Sequence, residues 1–215
     1  MEEPRTRWRQ LVRHMGANTS VFSGEELEVY EGCTCLSASE VVKLRDKFVA
    51  LGGAVGLGTE SPVKVTMASV LEQVELRNNP FGRRLCEIFS SEEPGTPSFG
   101  DLNFDEYVDI YNCMSPRASL DIKMQTAFRM YDFDGNGYLT DEDLQQVLIT
   151  IATPPPKVEG VQPKPLLGDG EVKAIVERVM RQCDIDGNNR LSYAEFCKAV
   201  ERIPEFAQKF RIYIQ

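Results

Sequence analysis

Twelve consecutive residues from Asp132 to Asp143 carry side-chain oxygens at positions 1, 3, 5, 9 and 12, supplied by Asp132, Asp134, Asn136, Thr140 and Asp143. A near-copy from Asp184 to Glu195 places Asp184, Asp186, Asn188, Ser192 and Glu195 at the same stations. A hard divalent cation takes about six to eight oxygens and neither nitrogen nor sulfur, so this is metal-ligand spacing of the calcium type. The main-chain carbonyls of Tyr138 and Arg190, at position 7, complete each expected set, with Ser192 acting through water. Gly137 at position 6 permits the sharp turn. Asn189 stands there in the second loop, and asparagine tolerates the left-handed conformation better than most residues. Leu139 and Leu191 at position 8 are apolar, where paired loops join through a short β-bridge.

Position 12 separates the two loops. Glu195 is long enough to offer both carboxylate oxygens, whereas Asp143 is one methylene shorter. Fewer ligands at shorter range suit Mg²⁺, so the first loop is expected to take Mg²⁺ or a mixture of Ca²⁺ and Mg²⁺. Three ligand carboxylates per loop leave repulsion that a bound cation relieves.

Helices must hold these loops. Before the first, Leu120, Met124, Ala127, Phe128 and Tyr131 recur at helical spacing, and Leu144, Val147, Leu148 and Ile151 follow it. Around the second the stripes are Val172, Ile175, Val176, Val179 and Met180, then Phe196, Ala199, Val200 and Ile203. Two damaged repeats lie upstream. In one, Leu102 and Glu106 fall at positions 8 and 12, the earlier carboxylates are missing, and the distance from Phe89 points to a lengthened loop. Glu106 is expected to be a relic on a solvated face. The fainter one runs from Leu36 through Phe48 to Val65 and Leu71, opening on Ser37 as a helix N-cap with Glu40 three residues on. Such units pair to bury their apolar faces. The expected fold is all-α, with four EF-hand helix–loop–helix units in two paired lobes, only the C-terminal pair binding metal. Its divisions are an extension over 1–35, an N-lobe over 36–115, a C-lobe over 116–203 and a tail over 204–215. A linker over 153–170 carries Pro154, Pro155, Pro156, Pro163 and Pro165 and cannot be helical throughout.

Formal net charge is −9, although the first fourteen residues carry four arginines against two glutamates. An acidic body disfavours nucleic acid and suits a basic amphipathic target. No apolar run approaches a membrane span and no secretory signal is visible. His14 is the only histidine, there is no nucleophile–base pair and no phosphate-binding glycine loop, so an enzyme is not expected. The six cysteines are expected to be reduced, as in a cytosolic protein.

Taken together these residues resemble the calcium- and integrin-binding family of small adaptor proteins. The resemblance rests on Glu75–Phe81 followed by Arg84–Ser90, on Ala127–Asp134, on an aspartate closing the first loop, and on the ending Ile203–Ile212. It implies an adaptor that answers to Ca²⁺ and Mg²⁺ and binds amphipathic segments, integrin α-subunit tails or channel regions among them, in a hydrophobic groove. Candidates for the groove are Met124, Phe128, Leu144, Leu148, Val179 and Met180, each of which also suits plain core. The alternative is a calcineurin B-like regulatory subunit of a phosphatase or kinase, against which stands the ligand-poor N-lobe. A pure ion buffer is the third reading.

The two ends leave further readings open. Met15-Gly16-Ala17-Asn18-Thr19-Ser20 fits the pattern for myristoylation at Gly16 if translation starts at Met15, or matches it by chance. Arg5, Arg9 and Arg13 opposite Trp8, Leu11, Val12 and Met15 would touch an anionic membrane weakly. The expected location is the cytoplasm, extending to the inner face of the plasma membrane. The tail, with Phe206, Phe210, Ile212 and Ile214, either competes for the protein's own groove or packs as core.

Overall fold

The computed structural model describes residues 22, 24–55, 63–154, 163–203, 205–206 and 214. Nine α-helices stand among them: α1 (Gly24–Cys33), α2 (Ala38–Ala50), α3 (Met67–Leu71), α4 (Gly82–Phe89), α5 (Phe104–Cys113), α6 (Leu120–Tyr131), α7 (Asp141–Ala152), α8 (Asp169–Cys183) and α9 (Tyr193–Val200). Local chemistry fixes where they start. Ser37, Thr66, Asn103, Ser119, Thr140 and Ser192 precede α2, α3, α5, α6, α7 and α9, and each side chain accepts the N–H three residues on. Each such cap contributes about 1 kcal/mol. The Glu40 side chain also accepts the Ser37 N–H, completing the capping box that their spacing predicts.

The chain divides into two units, one of residues 1–77, 83–118 and 211–215, the other of residues 78–82 and 119–210. In the first, Val65 and Leu102 form an antiparallel bridge with N–H···O distances of 2.9 and 3.0 Å, and both are buried. Beneath it the ring of Phe48 meets those of Phe104 and Tyr107, each at 5.4 Å between centroids. Tyr107 and Tyr111 both donate their hydroxyls to Gln73 Oε1, at 2.7 and 2.9 Å. Helix α1 packs on α2, and α2 on α5. The sequence singled out no element at α1, and the reason is visible. Only Tyr30 of its ten residues is buried, too little for an apolar stripe, and its hydroxyl is anchored on Asp105 at 2.7 Å.

In the second unit α6 packs on α7, α7 on α8, α8 on α9 and α9 on α6. Leu139 and Leu191 form the antiparallel bridge expected of them, closed by N–H···O contacts of 2.9 and 2.8 Å. The Phe128 ring stands edge-on to Tyr193 and Phe196 at 5.3 and 5.5 Å, and Tyr131 lies between Phe81 and Phe196. Four members of the expected stripes are exposed instead: Leu120, Ile151, Ile175 and Ile203. Leu120 opens α6, Ile151 is in the last turn of α7 and Ile203 lies past the end of α9, so the periodicity outruns the packed length of the helix. Ile175 flanks the line Val172–Val176–Met180, which is the buried face of α8.

The described parts of the 153–170 linker are non-helical until α8 begins, and the Leu166 N–H donates to the Ala152 carbonyl at 2.9 Å. All six cysteines are free thiols. No helix among the described residues is long and apolar enough to cross a membrane. The leader, including Gly16, and residues 207–213 of the tail lie outside the described residues.

Candidate metal centre

Helix α6 delivers Asp132 at its C-terminal end, where the Asp132 N–H still bonds to the Phe128 carbonyl at 2.9 Å. The chain then folds back over that carboxylate: Asn136 N–H donates to one oxygen at 3.1 Å and Gly137 N–H to the other at 2.9 Å. Asp134 accepts from the Asn136 side-chain amide at 2.7 Å, and the Asn136 carbonyl oxygen accepts the Tyr138 N–H at 2.8 Å. Asp143 closes the loop, taking Phe133 N–H at 2.9 Å and Thr140 N–H at 3.0 Å on its two oxygens. The second loop repeats each contact. Asp184 accepts from Gly187 and Asn189, Asp186 from the Asn188 amide at 2.9 Å, and Asn188 from Arg190 N–H at 3.1 Å. Glu195 bridges Ile185 and Ser192 N–H groups at 2.8 and 2.9 Å.

Position 6 shows the conformational demand. Gly137 has φ +83° and Asn189 has φ +60°, the only positive φ at a non-glycine among the described residues. The departure from glycine is therefore absorbed by the residue type that best tolerates it.

The donor chemistry fits a hard divalent cation. Carboxylate oxygens of Asp132, Asp134 and Asp143 lie within 4.8 Å of one another, as do those of Asp184, Asp186 and Glu195. Burial, together with the neighbouring Asp134, pushes the Asp132 carboxyl above its usual range, the signature of like charges crowded out of water. Glu195 goes the other way, pulled down to about 2 by hydrogen bonds from the Ser192 hydroxyl and from backbone N–H groups. It is ionised at neutral pH, the state a metal ligand needs. The Thr140 and Ser192 hydroxyls are engaged as helix caps and donate to Asp143 and Glu195, at 2.7 Å in both cases.

Among the described residues, the upstream loop that ends at Glu106 keeps this frame without a group of converging carboxylates. Ser91 N–H donates to Glu106 Oε1 at 3.0 Å, the counterpart of Phe133 to Asp143, so position 1 is Ser90 and the loop is five residues longer than twelve. Glu106 is fully buried, which corrects its expected place on a solvated face. Its second oxygen accepts Asn103 N–H at 2.9 Å, and the carboxylate serves the backbone. Lys64 reaches into this loop from across the bridge, donating to Ser91 at 3.1 Å and pairing with Glu92, whose other oxygen accepts from Ser98. An ammonium group thus supplies positive charge from within the chain. In the first hand Ser69 stands at position 12 and offers no carboxylate.

The EF-hand domain pair family matches residues 121–201, the bridged pair with convergent carboxylates. Over 93% of this chain and the full length of each relative, it is 30% identical to calcium and integrin-binding family member 2 of Danio rerio and 32% to that of Drosophila melanogaster. Identity to member 3 of Homo sapiens is 29% over the same shares. The chain belongs to the calcium and integrin-binding family. It is accordingly a calcium-binding protein of the regulatory kind. Sequence reading missed Lys64. The signal was its place immediately before the bridge residue Val65, the same station that Tyr138 and Arg190 hold before Leu139 and Leu191.

Proposed function

We propose that this protein is an adaptor responsive to Ca²⁺ and Mg²⁺, which binds an amphipathic segment from the cytoplasmic tail of a membrane protein. The observation that carries the reading is the asymmetry between two bridged pairs of loops, one gathering three carboxylates per loop and the other closed by Lys64. Asp132, Asp134, Asn136, the Tyr138 carbonyl, Thr140 and Asp143 would hold the first ion. Asp184, Asp186, Asn188, the Arg190 carbonyl, Ser192 and Glu195 would hold the second. A bound cation would neutralise each carboxylate set. Asp143 and Glu195 sit in the first turn of α7 and α9, so the loops and the packed helices are continuous structures. Mg²⁺ at the first loop follows from the shorter Asp143.

The target-binding reading draws on the half-buried Leu144, Leu148 and Val179 and the exposed Ile149 and Ile151, apolar groups that full burial has left available. Met124, Phe128 and Met180, the other expected groove residues, are core. An acidic protein of net charge −9 favours a target with basic residues beside its apolar face. The relatives' names carry integrin binding, and an integrin α-subunit tail or a channel segment is the class of partner we assign. The corresponding site of action is the cytoplasm and the inner face of the plasma membrane, with myristoylation at Gly16 in a form that starts at Met15.

Fluorescence of a hydrophobic dye, read with chelator and then with Ca²⁺, tests the sensor role. The reading predicts a rise on adding Ca²⁺ and a fall on adding a basic amphipathic peptide. Tight Ca²⁺ uptake with no change in dye fluorescence would identify an ion buffer instead.

A further inference from the structure

We infer that the side chains of Arg190 and Tyr138 couple the two metal loops, with Arg190 acting as a positioning residue for the first. The Arg190 guanidinium carbon lies 3.9 Å from the centroid of the Tyr138 ring. Both residues occupy position 7, one step before the bridge residues Leu139 and Leu191, so the stack runs beside the bridge and crosses between the loops.

Its place in the hydrogen-bond pattern gives it a role. The Tyr138 N–H is held by Asn136 Oδ1 at 2.8 Å, and the Asn136 amide holds Asp134 at 2.7 Å. In the second loop Arg190 N–H is held by Asn188 Oδ1 at 3.1 Å, and the Asn188 amide holds Asp186 at 2.9 Å. Asp134, Asn136, Tyr138, Arg190, Asn188 and Asp186 thus form one unbroken line of contacts, which the ring–guanidinium stack carries from one loop to the other. Ordering either loop fixes its position-7 backbone and, through the stack, restricts the other. The second ion then meets a site that has already lost part of its freedom, which is positive coupling. The bridge supplies a main-chain route as well, so removing the stack reduces coupling without abolishing it.

The inference rests on metal occupancy of both loops, and side-chain substitution leaves the position-7 carbonyls in place as ligands. The test is calorimetric titration of the full chain with Ca²⁺ in the absence of Mg²⁺. Asp132→Ala and Asp184→Ala backgrounds give the affinity of each loop alone, and the coupling factor is the gain when its neighbour is filled. Arg190→Gln and Tyr138→Leu should each lower that factor by about two- to fivefold, the range for an exposed cation–π pair. The double variant should lower it no further, and Arg190→Lys should restore part of it. Coupling that is absent in the wild type, unchanged in both single variants, or lost with Arg190→Gln but kept with Tyr138→Leu would overturn the inference. A wild type that takes up no Ca²⁺ would instead defeat the proposed function, and this inference with it.

Discussion

Asp143 accepts the Phe133 N–H at 2.9 Å, the same hold that Glu195 takes on Ile185 at 2.8 Å, although Asp143 is a methylene shorter. Both also secure the N–H of their helix cap, Thr140 and Ser192. With a shorter side chain meeting the same pair of donors, loop one is expected to draw in around position 12 when a cation binds. A tighter oxygen cage favours the smaller ion. Asp143→Glu should therefore strengthen Ca²⁺ binding at loop one on the order of tenfold, about 1.4 kcal/mol, and weaken competition by Mg²⁺. Calorimetric competition in excess Mg²⁺ reads both effects, and unchanged selectivity would show that length at position 12 is not the control.

Glu106 gives a contrasting prediction at the same station of a dead hand. Its two oxygens satisfy Ser91 and Asn103 N–H groups in a fully buried setting. Glu106→Ala should cost about 1–3 kcal/mol, because buried N–H groups lose their acceptor. Thermal melting should show the loss, with Ca²⁺ stoichiometry unchanged. Metal uptake that falls while melting stays constant would make Glu106 a ligand after all.

Lys64 and Glu92 give a prediction about acid. The Lys64 ammonium and the Ser98 hydroxyl hold the Glu92 carboxyl below the usual glutamate range. A folded-state value below the unfolded one adds stability above the unfolded value, lost as pH falls through the folded one. Lys64→Met should lower the melting temperature only slightly at pH 7, with the gap to wild type closing as Glu92 protonates in acid and also in high salt. A gap that persists in acid would assign the effect to packing of the lysine stem.

The two carboxylate clusters were legible because each is packed into twelve adjacent residues, from Asp132 to Asp143 and from Asp184 to Glu195, and such spacing needs no knowledge of the fold. The bridge residues Leu139 and Leu191 were legible for the same reason. Glu106 was misread because its burial depends on Ser91, fifteen residues away, across a loop of altered length. Lys64 with Glu92, and Arg190 with Tyr138, were invisible because each pair meets only after two loops align across a bridge. Leu120, Ile151 and Ile175 continued a helical stripe that packing did not use, since period alone does not say where the partner helix ends.

The tail yields a prediction about access to the groove. Ile214 lines a cavity of about 130 Å³ with Leu36, Tyr111, Pro116 and Arg117 in the first unit. Because Ile214 packs in the first unit and not among the groove residues Leu144, Leu148 and Val179, removing residues 204–215 should lower the melting temperature; tighter binding of a basic amphipathic peptide at an unchanged melting temperature would instead mean a self-filled groove. Early melting or weaker binding in the truncated protein would mark the tail as structural.

Metal stoichiometry bears most directly on the central claim, that the second EF-hand pair binds metal and the first is held by its own side chains. Calorimetric titration with Ca²⁺ should give two sites per chain in the wild type, one in Asp132→Ala or Asp184→Ala, and none when both are changed. Binding that survives the double substitution, or a wild-type stoichiometry above two, would contradict the account.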